Sequence, residues 1–224
     1  MNAHLELLLS PVYTSALHPA HLADLRRSTL TDETIESQGI RSVPPSMIQH
    51  LLGFNPSGIT SAMLIPFPDP AGGWMDHVRM KIFPPILSKK KGGEGETTIK
   101  YLQPKGSGVR LYFSRATMAR ACAPGETLCL VEGEKKALAF AQLGFPTVGF
   151  CGVEGWHRKG DDTLLSDFDA LSLNGRAVWI YPDADVETNG MVAHAITRLG
   201  AALAERGATP ELVHLPSDAE EAVA

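Results

Sequence analysis

Cysteine is scarce in this chain. Cys122, Cys129 and Cys151 are the only three among 224 residues, an odd number with no Cys-x-x-Cys pair. That argues against a disulfide framework and against a cysteine-built zinc site, and it reads as reduced thiols in a cytoplasm. Long apolar runs are also missing. None approaches the ~18–20 residues that a membrane span needs, so no membrane association is expected. The N-terminal MNAHLELLLSPVY has a short apolar stretch but no basic leader, which makes a poor signal peptide. There is no internal repeat, and no low-complexity tract beyond Lys89-Lys90-Lys91 with its flanking glycines. Charge of one sign is lacking too. Lys and Arg number 20 against 25 Asp and Glu, a formal net of −5, which excludes a simple basic coat protein for nucleic acid.

What is present is ordinary globular composition, 44% hydrophobic and 20% charged, at a length that suits one large domain or two small ones. The charge is unevenly placed. Residues 1–124 carry 13 basic and 9 acidic groups, whereas residues 125–224 carry 7 basic and 16 acidic groups. The first part is therefore +4 and the second −9.

The patterning divides the chain into a helical leader (1–57), a basic antiparallel-sheet subdomain (58–124), an α/β domain (125–216) and a short tail (217–224). In the leader, His18-Pro19 opens one helix, Thr31 caps a second that ends near Gly39, and Ser46 to Leu52 forms a third closed by Gly53. Strands are expected over Ala62–Phe67, Trp74–Phe83, Ile99–Leu102 and Val109–Phe113, with Pro84–Thr98 as a long, mobile, basic loop. From Gly125 the pattern switches to strands alternating with helices. Strands are expected at Leu128–Val131, Pro146–Phe150, Val178–Tyr181 and Leu212–Leu215, and helices over Glu134–Leu143 and Val192–Arg206. Such alternation predicts a parallel sheet, whose ligands collect at the carboxyl ends of the strands.

Two of those strand ends carry acids. Val131-Glu132-Gly133 places Glu132 at one strand's edge, with Gly133 permitting the tight turn. Tyr181-Pro182-Asp183-Ala184-Asp185 places two aspartates two residues apart, on one side of an extended backbone. If the two strands are neighbours, Glu132, Asp183 and Asp185 converge. Carboxylates that close repel and need a cation to stay ionised, and oxygen-only ligands suit Mg²⁺ or Mn²⁺. The plainer reading of Glu132 is a charge complementing a helix dipole, and of Asp-x-Asp a solvated turn. Lys135 and Lys136 read either as solvated helix charges or as phosphate contacts.

Leu130-Val131-Glu132-Gly133, followed some fifty residues later by Tyr181-Pro182-Asp183-Ala184-Asp185, resembles the Toprim domain of topoisomerases, bacterial-type primases and some nucleases. The resemblance implies a general acid/base role for Glu132 and Mg²⁺ binding by Asp183 and Asp185. Upstream, Leu64–Phe67, Gly72-Gly73, Val78-Arg79 and Lys100-Tyr101-Leu102 resemble the basic subdomain that precedes Toprim in bacterial-type replicative primases. Arg79, Lys100 and Tyr101 would then line the path of template and nucleotides. The Glu-Gly-Glu-Lys-Lys-Ala wording looks closest to Toprim proteins of phages, plasmids and integrated elements. There are departures. Replicative primases carry an Asp four residues after the key Glu, where this chain has Lys136. A later Asp pair is represented by Asp218 alone, a further candidate metal ligand. The zinc-binding domain of those primases is absent, and no P-loop helicase is fused within the chain. The end at Ala224 suggests a fragment of something longer or a separate small subunit.

Residues 79–115 hold 9 Lys and Arg against 2 Glu, with Phe83, Tyr101, Tyr112 and Phe113 interleaved. Basic groups track a phosphate backbone and aromatics stack bases. The plainer reading is a solvated sheet face with core aromatics, and Phe83 and Phe113 read as core. His157 reads as a loop-structuring residue, His194 as a helix-surface residue, and Asn189 as a helix cap.

The leading expectation is a metal-dependent, primase-like nucleotidyl transfer on single-stranded DNA for replication of a mobile element. Nucleoside triphosphates would be the substrates, and a helicase or replication protein would act in trans or in a longer parent chain. A Toprim nuclease, a degenerate module that only binds single strands, and a nucleotide-sugar transferase using Asp-x-Asp stand as alternatives.

Overall fold

The structure of the protein is a computed structural model that describes residues 3–10, 16–89, 95–158, 160, 163–183 and 189–214. The chain forms two compact units, Met1–Ser107 and Gly108–Ala224.

The first unit is built on a four-stranded antiparallel sheet in the order β1-β2-β3-β4. The strands are β1 (Arg41–Val43), β2 (Ser61–Pro68), β3 (Trp74–Lys89) and β4 (Glu96–Leu102). Four helices accompany them: α1 (Ala3–Leu9), α2 (Pro19–Arg27), α3 (Asp32–Ser37) and α4 (Pro45–Leu52). The Thr31 hydroxyl accepts from the Thr34 amide to start α3, and Gly53 ends α4 at φ 73°, a conformation glycine adopts without strain. One face of the sheet (Ala62, Leu64, Val78, Met80, Ile82) packs with Leu5 and Leu8 of α1 and Ile48, Leu51 and Leu52 of α4. The leader and the sheet therefore share one core, because short amphipathic helices bury their apolar stripes against the nearest apolar face.

The hairpin β3–β4 departs from expectation. In place of a loop over Pro84–Thr98, β3 runs on to Lys89 and pairs with β4 through Ile86↔Ile99 to Lys89↔Glu96. The ladder skips between Lys81 and Ile86, so Pro84 and Pro85 fall where no ladder hydrogen bond is required of them.

The second unit holds a five-stranded sheet in the order β5-β7-β6-β8-β9. Its strands are β5 (Tyr112–Phe113), β6 (Leu128–Glu132), β7 (Thr147–Phe150), β8 (Ala177–Tyr181) and β9 (Thr209–Leu212). All neighbours are parallel except β5, which runs antiparallel to β7. The helices are α5 (Met118–Cys122), α6 (Glu134–Gln142) and α7 (Gly190–Glu205). In α7 the buried positions Val192, Ala195, Ile196, Leu199 and Leu203 follow helical spacing, and the Asn189 side chain caps its first turn at Met191 N, as expected.

Two expectations are corrected here. Val109–Phe113 does not extend the antiparallel sheet of the first unit. Asp167 holds this segment in the second unit, accepting from Leu111 N at 2.8 Å and from Arg110 Nε at 2.9 Å, and Tyr112 then pairs with Gly149. Accordingly the unit boundary lies at Ser107, earlier than the expected 124. The last strand begins at Thr209 and not at Leu212. It is an edge strand, where Pro210 is tolerated because one side of the backbone needs no partner. Among the described residues no helix is long and apolar enough to cross a membrane.

Candidate functional site

The acidic patch arises from strand adjacency. β6 and β8 are parallel neighbours in the register Val131↔Tyr181, so the residues just past that pair, Glu132 and then Pro182-Asp183, emerge at one sheet edge. Gly133 follows Glu132 at φ 90°, which lets the chain turn directly into α6. The Asp183 amide donates to Glu132 Oε2 at 3.4 Å, which joins the two strand ends. Lys136, in the first turn of α6, reaches across to them. Its Nζ lies 2.6 Å from Asp183 Oδ1 and 3.2 Å from the Pro182 carbonyl oxygen.

The turn rests on a buried polar layer. Glu134 is 3% exposed, and the Cys151 thiol donates to its Oε1 at 3.0 Å. The Tyr112 phenol beside them is held well above its usual pKa, first by burial and then by its neighbours Glu134 and Cys151. Gly149 of β7 makes room for this arrangement. A Cβ there would sit 3.1 Å from Ala137 Cβ, 3.3 Å from the Gly133 carbonyl oxygen and 3.3 Å from Tyr112 Cβ. Sequence reasoning missed Glu134, Tyr112 and Cys151, which are far apart in the chain. The one local signal was an acid in a first helical turn.

His157 occupies the expected structuring role. Its Nε2 lies 2.6 Å from Glu154, and its Nδ1 lies 2.8 Å from the Arg158 carbonyl oxygen. Arg198 of α7 reaches the same Glu154 at 3.2 Å. His194 is exposed on α7.

The oxygen donors of Glu132 and Asp183 suit a hard divalent cation, with Lys136 already contributing one positive charge to the patch. Among the described residues no three Asp, Glu, His or Cys side chains form a metal-holding group. Asp185 and Asp218 lie outside the described residues, as do Lys90 and Lys91. Lys135 is half-buried in the first turn of α6.

The first unit brings Arg79 and Tyr101 together. The Arg79 guanidinium stands 4.7 Å from the Tyr101 ring centre, and Lys81, opposite Tyr101 across the ladder, stands 5.7 Å from it. Lys81 Nζ is also tied to the buried Asp24 carboxylate of α2 at 2.5 Å. Lys100 is exposed, and strand alternation turns it to the face opposite Tyr101. Lys100 therefore stands on the other face of β4 from the Arg79–Tyr101 pair, with which the resemblance grouped it. Arg110, counted with the basic stretch, is held by Asp167 in the second unit at 2.7 Å.

A family model described as a domain of unknown function (DUF3854) matches residues 122–223. No curated protein matches the chain. The fold matches primase catalytic cores. A structure of the DnaG primase catalytic domain bound to single-stranded DNA superposes with a TM-score of 0.57 at 19% identity, over 96% of this chain and 72% of that one. A DnaG catalytic core gives 0.58 at 18% identity, over 96% and 70%. The RNA polymerase domain of Mycobacterium tuberculosis primase DnaG gives 0.63 at 14% identity, over 97% and 74%.

Proposed function

We propose that the protein is a Toprim-type, primase-like nucleotidyltransferase that acts on single-stranded DNA with nucleoside triphosphates as substrates. The observation that carries this reading is the junction of Glu132 and Asp183 at the ends of adjacent parallel strands, in a chain whose fold matches primase catalytic cores. Replication of a mobile element is the setting we favour, from the wording around Glu132. A helicase or other replication protein would be its partner.

In this reading Asp183 and Glu132 hold a Mg²⁺ or Mn²⁺ ion, with Asp185 and Asp218 as further candidate ligands. When bound, that ion neutralises charge on the triphosphate and on the transferred phosphoryl group. Glu132 serves either as the second ligand of that ion or as the base that accepts a proton from the attacking 3′-hydroxyl. Lys135 and Lys136 lie at the start of α6, where amide dipoles also favour phosphate. Arg79 and Tyr101 offer a guanidinium with an aromatic face, a pairing that suits a sugar–phosphate backbone and its bases. Lys100, on the opposite face, contributes longer-range attraction to the strand.

The test is incubation with single-stranded template, labelled nucleotides and Mg²⁺ or Mn²⁺, beside Asp183→Ala. Oligonucleotides made by the wild type and lost in the variant support the proposal. Shortened template would assign the patch to a nuclease instead. Template binding with no product under either metal would leave a binding module.

A further inference from the structure

We propose that Lys136 is a built-in cation of the acidic patch, which weakens the affinity of the patch for a divalent ion. The inference rests on the cation-binding reading above and deepens it.

Two acceptors from one strand end hold the ammonium: Asp183 Oδ1 at 2.6 Å and the Pro182 carbonyl oxygen at 3.2 Å. The lysine side chain is 25% exposed, against 57% for Asp183. It is thus the better-covered partner of the pair, packed along the start of α6 with its charged end on the patch. Its origin in the first turn of α6, directly after the Glu132–Gly133 turn, keeps it at the junction of β6 and β8.

The electrostatic consequence follows from Coulomb's law. Glu132 and Asp183 repel each other at the strand ends, and a fixed ammonium relieves that repulsion without any added ion. A divalent ion on the same carboxylates then meets a neighbouring positive charge and competes with it for Asp183. Removing the ammonium removes both penalties. Keeping a cation of different shape keeps the repulsion.

The experiment is titration of the full chain with Mn²⁺, with free metal followed by electron paramagnetic resonance at fixed ionic strength. Wild type, Lys136→Gln and Lys136→Arg are compared, with Lys136→Met as a second neutral variant and thermal melts confirming that each is folded. Wild type is expected to bind Mn²⁺ saturably. The neutral variants are expected to bind Mn²⁺ about tenfold more tightly, a change of about 1.4 kcal/mol. Lys136→Arg is expected to stay within about threefold of wild type, because its charge persists. Mn²⁺ bound equally well by wild type and both neutral variants overturns the lysine's role and leaves the metal site standing. Absence of saturable Mn²⁺ binding in every form removes the metal reading itself.

Discussion

The seat of α6 depends on a missing side chain, and Gly149→Ala tests how strongly. The new Cβ would lie 3.1 Å from Ala137 Cβ and 3.3 Å from both the Gly133 carbonyl oxygen and Tyr112 Cβ. All three neighbours are backbone or Cβ atoms, so none can swing aside as a chain end would. Overpacking of this kind costs about 1–3 kcal/mol. Alanine in a strand regains about 0.5–1 kcal/mol relative to glycine. The net expectation is a loss of about 1–2 kcal/mol, read as a fall of roughly 0.5–1 M in the urea midpoint. Tryptophan fluorescence can follow it, since Trp156 is fully buried and Trp179 lies in β8 of the same unit. Ala137→Gly relieves the tightest of the three contacts. Although it costs about 1 kcal/mol by itself in a helix, the double-mutant cycle should show a favourable coupling of about 1 kcal/mol. A Gly149→Ala protein as stable as wild type, or strictly additive changes in the cycle, would refute the close-approach argument.

Other changes have equally definite outcomes. Asp167→Ala removes the carboxylate that Arg110 Nε bonds and leaves the Leu111 amide buried without that acceptor. Because Arg110 can partly rehydrate, the expected loss is about 2–3 kcal/mol in urea unfolding, and a loss under about 0.5 kcal/mol contradicts it. His21, bonded to Ser42 at 2.8 Å and Ser61 at 3.0 Å, has its pKa lowered from 6.5 to about 4, first by burial and then by the charge of His18, against an opposing pull from Asp24. Below 6.5 the unfolded chain takes up a proton that the folded chain refuses, so stability present above 6.5 falls as the pH drops towards 4. His21→Gln should flatten that fall by on the order of 2 kcal/mol in pH-dependent urea unfolding, and an identical pH profile sinks the argument. Arg79→Ala should reduce the salt slope of single-strand binding by about 0.7, the share of one phosphate contact, and an unchanged slope places Arg79 off the strand's path.

The parallel unit was legible because its strands are buried on both faces and read as short apolar runs between helical stretches. β6, β7 and β8 follow from that pattern, and the meeting of Glu132 with Asp183 follows once β6 and β8 are neighbours. The α3 and α7 caps at Thr31 and Asn189 were legible for a local reason, a side-chain oxygen two or three residues before the amide it serves. The rest depended on distant contacts. Nothing near Val109 announces that Asp167 will draw Leu111 and Tyr112 to β7. Pro84 and Pro85 read as breakers, because a skipped ladder that accommodates them is a property of the partner strand. Lys136 read by default as a solvated helix charge, because its acceptors, Pro182 and Asp183, lie almost fifty residues downstream.

The central claim is that Glu132 does chemistry at the patch and is not merely a helix-dipole charge. The direct measurement is incorporation of labelled nucleotide into oligonucleotide on a single-stranded template, wild type against Glu132→Gln, with template affinity measured on the same samples. The account predicts incorporation by the wild type and a loss of about 10²–10⁴-fold in the variant, with affinity for the strand little changed. Equal incorporation by both proteins, or no incorporation by the wild type with Mg²⁺ or Mn²⁺, would contradict it.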